Sequence, residues 1–416
     1  MFARSVATHA SPTRAPERPT AAPESSPRVV IFGSARPVTC AVMDYARRLH
    51  EAIEAQRPGF VAIETIEPGK SFAFVAAIVR ALRAGAVAHF ELPIEGWGDS
   101  VVPGSALMAA RLLTRRGRVA VTLHEWASLN RLRYLSTIPD LIAADGFILV
   151  SPRQRESFSR TPWVSRAKKD AAAVIPIGPN VMSGDIDATR VAQERARTRG
   201  EGALRADVVL GFFGVLYASK RPDLLLRVVA SLRDRGVKAR LLVCGDFLWD
   251  KPHDRAAFLE LARALGVAEW LDFRGRIDDQ GELLATLSAS DVFLLPYSDG
   301  VSARRSSFQA VSQLAIPLVT TKPERADEFD SIPALREKID NPATALVPVD
   351  AAPEDYADAI MTVLPQKDCA VGVSLDAIWR EAAAKHLAFY DRLLERSGAG
   401  RGDLDRRVAR WMDVAE

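Results

Sequence analysis

The chain has 416 residues, 48% hydrophobic and 26% charged, which is enough for two domains that each bury a core. Its 55 basic and 52 acidic residues leave a net charge of only +3, which argues against a nucleic-acid partner or a strongly basic membrane face. Cys40, Cys244 and Cys369 are isolated, so neither a disulfide framework nor a CxxC metal site is available, and no apolar run approaches the roughly 18 to 20 residues that span a bilayer. A cytoplasmic setting is expected, with any membrane contact made from the surface.

Residues 1–27 are rich in Ala, Pro, Ser, Thr and Arg and lack an apolar centre, so they are expected to be a disordered tail. Order begins with the strand VVIFG (29–33), a loop, and an amphipathic helix over 41–56. The loop GSARPV lacks the spacing of a dinucleotide fingerprint. Further strands, FVAIETI, AVAHFEL, VAVTLHE and GFILVS, alternate with helices near 71–84 and 104–116, which predicts a mostly parallel sheet. His124 and Glu125 end VAVTL and so should emerge at the carboxyl edge of that sheet, where ligands bind; a capping or structural role is the plainer assignment for His124. Trp97, in a turn-rich loop, either stacks on a ring or covers the core.

Between 174 and 205 the chain becomes polar and proline-punctuated, so residues 28–182 are expected to form one domain and 183–204 a linker. Asp185, Ile186 and Asp187 have the form of a DxD metal site, but within a linker they read as solvated chain, and no metal is expected. The alternation resumes with VVLGFF (208–213), a loop carrying Lys220, and a helix opened by Pro222. Two more strands follow, then LLATLSASDVFLLPYSDGVSARRSSFQAVSQLAIPLVTT (283–321). Here a buried strand leads to a basic, hydroxyl-rich loop and then to a helix starting at Ser306 or Ser307. In an open parallel sheet, Lys220, Arg304, Arg305 and the N–H groups of that helix start share the carboxyl edge and make a seat for a diphosphate; the alternative is a solvated arginine pair.

Several stretches together resemble a GT-B fold glycosyltransferase of the family-4 type. FFGVLYASKRPDLLL fits the family's glycine, lysine loop and helix, with Gly214 as the glycine. LLVCGD, FRGRI, ASDVFLLPY and IPLVTT fit its following strands, and VTLHE and IPIG its first half. The resemblance implies two Rossmann-like parallel-sheet domains facing a cleft, the second spanning 205–375, and a 376–416 helical segment returning to the first domain. It implies a nucleotide-sugar donor on the second domain and a glycan or lipid-linked acceptor on the first, as in surface polysaccharide synthesis, with no cofactor. It also implies that Lys220 and the helix start stabilise the leaving diphosphate, that Asp299 bonds the donor sugar, and that His124 approaches it from across the cleft. Two departures stand out: Val215 replaces the family's arginine, and its second glutamate falls near Gln309 or Ala310. Arg304 and Arg305 are expected to supply the missing charge. A GT-B-like binding protein without catalysis, and a non-transferase enzyme of the same fold, stay open as alternatives, as does inversion with His124 or Glu125 as base.

Overall fold

The computed structural model describes residues 26–34, 41–67, 69–92, 100–162, 164–179, 184, 186–248 and 252–412. Residues 1–25, most of the loop after the first strand, Trp97 and Asp185 lie outside them.

The first sheet consists of β1 (Val29–Ser34), β2 (Val61–Ile66), β3 (Val87–Leu92), β4 (Arg118–Leu123), β5 (Gly146–Leu149) and the short β6 (Ala173–Val174). They run parallel in the order β2-β1-β3-β4-β5-β6. Because both faces are covered, β1 is apolar without alternation: Val30 and Phe32 join one core, Val29 and Ile31 the other. Helices Ser71–Arg83 and Val102–Leu113 cover the first face, while Ala41–Glu54 and the long C-terminal helix, Leu375–Met412, cover the second.

The second sheet, β7 (Val208–Phe213), β8 (Ala239–Cys244), β9 (Leu271–Gly275), β10 (Val292–Leu295), β11 (Leu318–Thr321) and β12 (Thr344–Val347), is also parallel, in the order β12-β11-β10-β7-β8-β9. Strand order reverses between β7 and β10, so the chain departs in opposite directions from two neighbouring strands and opens a crevice at their carboxyl ends. The loops leaving β7 and β10 carry Lys220 and Arg304–Arg305.

The C-terminal helix leaves the second domain and returns to the first. Phe389 and Leu393 pack so closely on Gly146 that a Cβ there would lie 2.9 and 3.0 Å from their ring and methyl atoms. Trp379 covers Gly178 and donates its indole N–H to the Pro179 carbonyl at 3.0 Å. The polar segment after 183 differs from the solvated linker expected of it. Ala188–Arg199 is a helix, capped by the Asp187 side chain, which accepts from Thr189 N–H. Ion pairs fasten this helix to the second domain: Arg199 to Asp291 at 2.6 Å, and Glu194 to Arg274 at 3.0 Å. Its few apolar positions hid it, because what holds it is ion pairs and hydrogen bonds.

Candidate active site

A cleft of about 440 Å³ lies between the carboxyl edges of the two sheets. The first domain lines it with Tyr45, His124 and Glu125, the second with Tyr217, Lys220, Asp299, Arg304, Arg305, Ser306 and Ser307. The chain thus brings together residues that its sequence placed on separate loops.

On the second-domain wall, Lys220 ends a short 3-10 turn and is 94% shielded from solvent. Gly214, at φ 118°, lets the lysine and the following helix close up: a Cβ there would fall 2.5 Å from Lys220 Nζ and 3.1 Å from Ser307 Cβ. Lys220 Nζ also stands 5.4 Å from the Tyr217 ring centroid. Burial, and next the charge of Arg305, lower its pKa to about 8. Arg305 donates to the Tyr217 hydroxyl at 3.2 Å, lies 4.8 Å over the Tyr297 ring, and pairs with Asp299. Its Nε is buried without a hydrogen-bond partner. Asp299 therefore lines the cleft with one carboxylate oxygen already engaged. Arg304 is half-buried along the same wall.

The helix starts at Ser306, as expected, and ends at Ser312, well before Pro317. At seven residues it contributes first-turn N–H groups more than a macrodipole. Ser307 is buried, its hydroxyl bonded to the Tyr297 hydroxyl at 2.9 Å, whereas Ser306 is exposed. Two further residues shape this loop, Glu328, which the sequence did not point to, and Gln309, near the family's second glutamate position. Glu328, 6% exposed, accepts from Ala303 N–H at 3.1 Å. Gln309, fully buried, donates to the Ala303 carbonyl at 2.7 Å and across the domain boundary to the Ile177 carbonyl at 2.8 Å. Its Oε1 has no partner.

On the first-domain wall, His124 Nε2 is 2.8 Å from Glu91 Oε2, and its ring meets Tyr45 edge-on at 5.2 Å between centroids. Behind them, His89 contacts Thr122 and Tyr390, each at 2.8 Å, and Tyr45 reaches His386 at 3.4 Å. Burial alone would raise the pKa of Glu91, but His89, His124 and His386 outweigh it and hold the carboxyl at about 2. The sequence signal for this cluster was AVAHFEL, an entirely buried strand that nevertheless carries a histidine and a glutamate.

A second cavity, about 730 Å³, opens on the other side of Gly214 and is lined by Val215, Gly245, Phe247, Arg276 and Ile277 among others. Among the described residues, no three His, Cys, Asp or Glu side chains converge as a metal site.

The two-sheet architecture with its crossing C-terminal helix is the GT-B fold. Residues 207–366 match the family described as Glycosyl transferases group 1. Solved structures of the same fold include Anabaena HepE in complex with UDP and glucose, at TM-score 0.56 and 14% identity, covering 89% of this chain and 98% of that one. Sucrose-phosphate synthase from Thermosynechococcus elongatus superposes at 0.54 with 19% identity, covering 92% and 100%. The catalytic domain of Arabidopsis thaliana starch synthase IV bound to ADP and acarbose does so at 0.56 with 13% identity, covering 89% and 100%. No curated protein matches the sequence at a significant level. The second domain carries the family match, and the chain is a glycosyltransferase of GT-B fold, similar to the family-4 type.

Proposed function

We propose that the protein transfers a sugar from a nucleoside-diphosphate sugar to a glycan or lipid-linked acceptor, without a metal and with retention of configuration, in surface polysaccharide synthesis at the cytoplasmic face of a membrane. The observation that carries this reading is the convergence of Lys220, Arg304, Arg305 and the first-turn N–H groups of 306–312 on one cleft. Negative charge grows on a diphosphate as it leaves, and cations fixed in a partly desiccated wall stabilise that charge without reorganising. The cavity beyond Gly214 has room for the nucleoside. His124 then faces the sugar from the opposite wall. UDP in HepE and ADP in starch synthase IV, both GT-B folds, fit a nucleotide-linked donor. Membrane contact is supported by Leu112 and Leu113, 84% and 60% exposed at the end of a helix that otherwise packs on the core, next to exposed Arg115 and Arg116. No helix among the described residues is long and apolar enough to cross a membrane.

Incubation with a panel of nucleotide sugars, with and without chelator, tests the proposal. Release of nucleoside diphosphate that survives chelation, with the product anomer matching the donor by NMR, is the expected result. Gln309, whose amide is spent on Ala303 and Ile177, favours a second reading, a nucleotide-sugar binding protein without turnover. Donor binding without any hydrolysis or transfer would establish that reading instead.

A further inference from the structure

We infer that Glu91 is a positioning residue for His124: through a charged hydrogen bond it fixes the imidazole with Nε2–H turned inward, so that Nδ1 is presented to the cleft as an acceptor for a hydroxyl of the bound sugar. The role assigned to the cleft rests on the transferase reading above; the geometry of the pair does not.

Glu91 is 2% exposed on a strand whose other members are all buried, and its Oε1 has no hydrogen-bond partner. A buried carboxylate satisfied on one oxygen only is poor at stabilising a core, so its presence calls for a different service. That service is read from Oε2, which lies 2.8 Å from His124 Nε2. The depressed pKa keeps Glu91 ionised, hence acceptor only, so Nε2 must be the donor. A neutral imidazole that donates at one nitrogen accepts at the other, and the orienting partner therefore selects the tautomer.

The surroundings hold the pair in place. Tyr45, from the helix Ala41–Glu54, packs edge-on against His124, and its hydroxyl contacts His386 of the C-terminal helix. His89 lies 3.5 Å from Glu91 Oε1, and is itself held by Thr122 and by Tyr390 of the same helix. From across the cleft, the charged groups facing His124 are Lys220, Asp299, Arg304 and Arg305, with Glu125 beside it. The returning helix thus completes the wall behind the histidine, which gives a chemical reason for a long C-terminal segment to cross back to the first domain.

Two measurements on the full chain test the inference. Ring-¹⁵N histidine NMR, with His124 assigned by its loss in His124→Ala, should show the neutral ring in the Nε2–H form. A predominant Nδ1–H form would overturn the proposal whether or not a donor is ever found. With an active donor, Glu91→Gln should lower kcat by about 10- to 100-fold, the usual scale for removing an orienting partner, and leave nucleoside diphosphate affinity within about twofold because the phosphate wall is untouched. Introduced into His124→Ala, Glu91→Gln should cost little more. An undiminished loss in that background, or full activity of Glu91→Gln alone, would make Glu91 a structural residue and sink the idea. If Glu91→Gln does not fold, the tautomer measured in the unsubstituted protein still decides.

Discussion

The two walls of the cleft are built by opposite means. On the first domain, polar groups sit on strand ends and helices and are tied to one another by buried hydrogen bonds: Glu91 to His124, His89 to Thr122 and Tyr390, Tyr45 to His386. On the second, positive charge only partly balanced by the Arg305–Asp299 pair sits on two loops, held by a glycine turn at Gly214 and by the side chains of Glu328 and Gln309 gripping Ala303. A buried hydrogen-bonded network is rigid and specific even with Glu91 Oε1 left open, whereas a cationic loop keeps donors ready for an anion. One wall fixes geometry, and the other is completed by its ligand.

Removing charge from the second wall should therefore have the largest effect. Lys220→Ala is expected to lower turnover on the order of 100-fold or more, since the lost donor acts on the leaving group. Nucleoside diphosphate affinity, read by calorimetry, should fall as well. Wild-type turnover in that variant would remove Lys220 from the site. Arg305→Ala comes next, with a loss of about 1.5 to 3 kcal/mol in diphosphate binding from one charge-assisted hydrogen bond. Because Arg305 also holds Asp299 and Tyr217, its loss should change the donor KM and kcat together. Arg304→Ala should cost less if Arg305 carries the phosphate, and an equal cost would assign the contact to both.

The strain on Lys220 predicts opposite pH responses for stability and binding. Its pKa is about 8 in the folded protein and 10.5 as an ordinary lysine. Between these values the unfolded chain holds the extra proton, so the stability contributed at this site rises as pH increases from about 8 to 10.5. By linkage the gain is about 3 kcal/mol. Over the same range the free protein loses the cation that a diphosphate needs, so affinity should fall above pH 8. The comparison is made with Lys220→Met, which should abolish the site's share of both slopes. Parallel slopes in stability and affinity would show that burial does not tune this lysine.

How much of this was visible in the sequence follows from the same contrast. Lys220, Arg304, Arg305 and His124 could be placed because a parallel strand delivers the residue after it to the carboxyl edge, whatever the packing behind. Strand order was not visible, and it is the reversal between β7 and β10 that sets the lysine loop beside the arginine loop. Glu91, inside an apolar strand, and Glu328, inside a charged loop, were missed because each acts through a partner distant in sequence; Gln309 stood at the family's second glutamate position, but its contact with Ile177, 132 positions away, could not be read. The helix Ala188–Arg199 was hidden for the opposite reason, since it is held by ion pairs and lacks an apolar stripe.

The smallest expected effect lies at the rim, where the domains meet without sharing a core. Arg153 pairs with Glu324 at 2.5 Å and Glu156 with Arg325 at 2.6 Å, so positions one turn apart on the helix Pro152–Ser159 answer successive positions on one loop of the second domain. These side chains are largely exposed, and exposed pairs yield little because water and salt compete for them. Their crossed arrangement still matches only one relative placement of the two domains. Reversing one partner, Glu324→Lys, sets two cations face to face and should bias the cleft toward opening, raising the donor KM by about two- to threefold at low salt. The change should fade as ionic strength rises and the Debye length shrinks to about 8 Å at 0.15 M. Restoring the pair in reverse, with Arg153→Glu added to Glu324→Lys, should recover the original KM. A large effect that persists in high salt would mean that the rim contributes to the wall chemistry itself, and no recovery in the double variant would mean that Arg153 and Glu324 do not act as a pair.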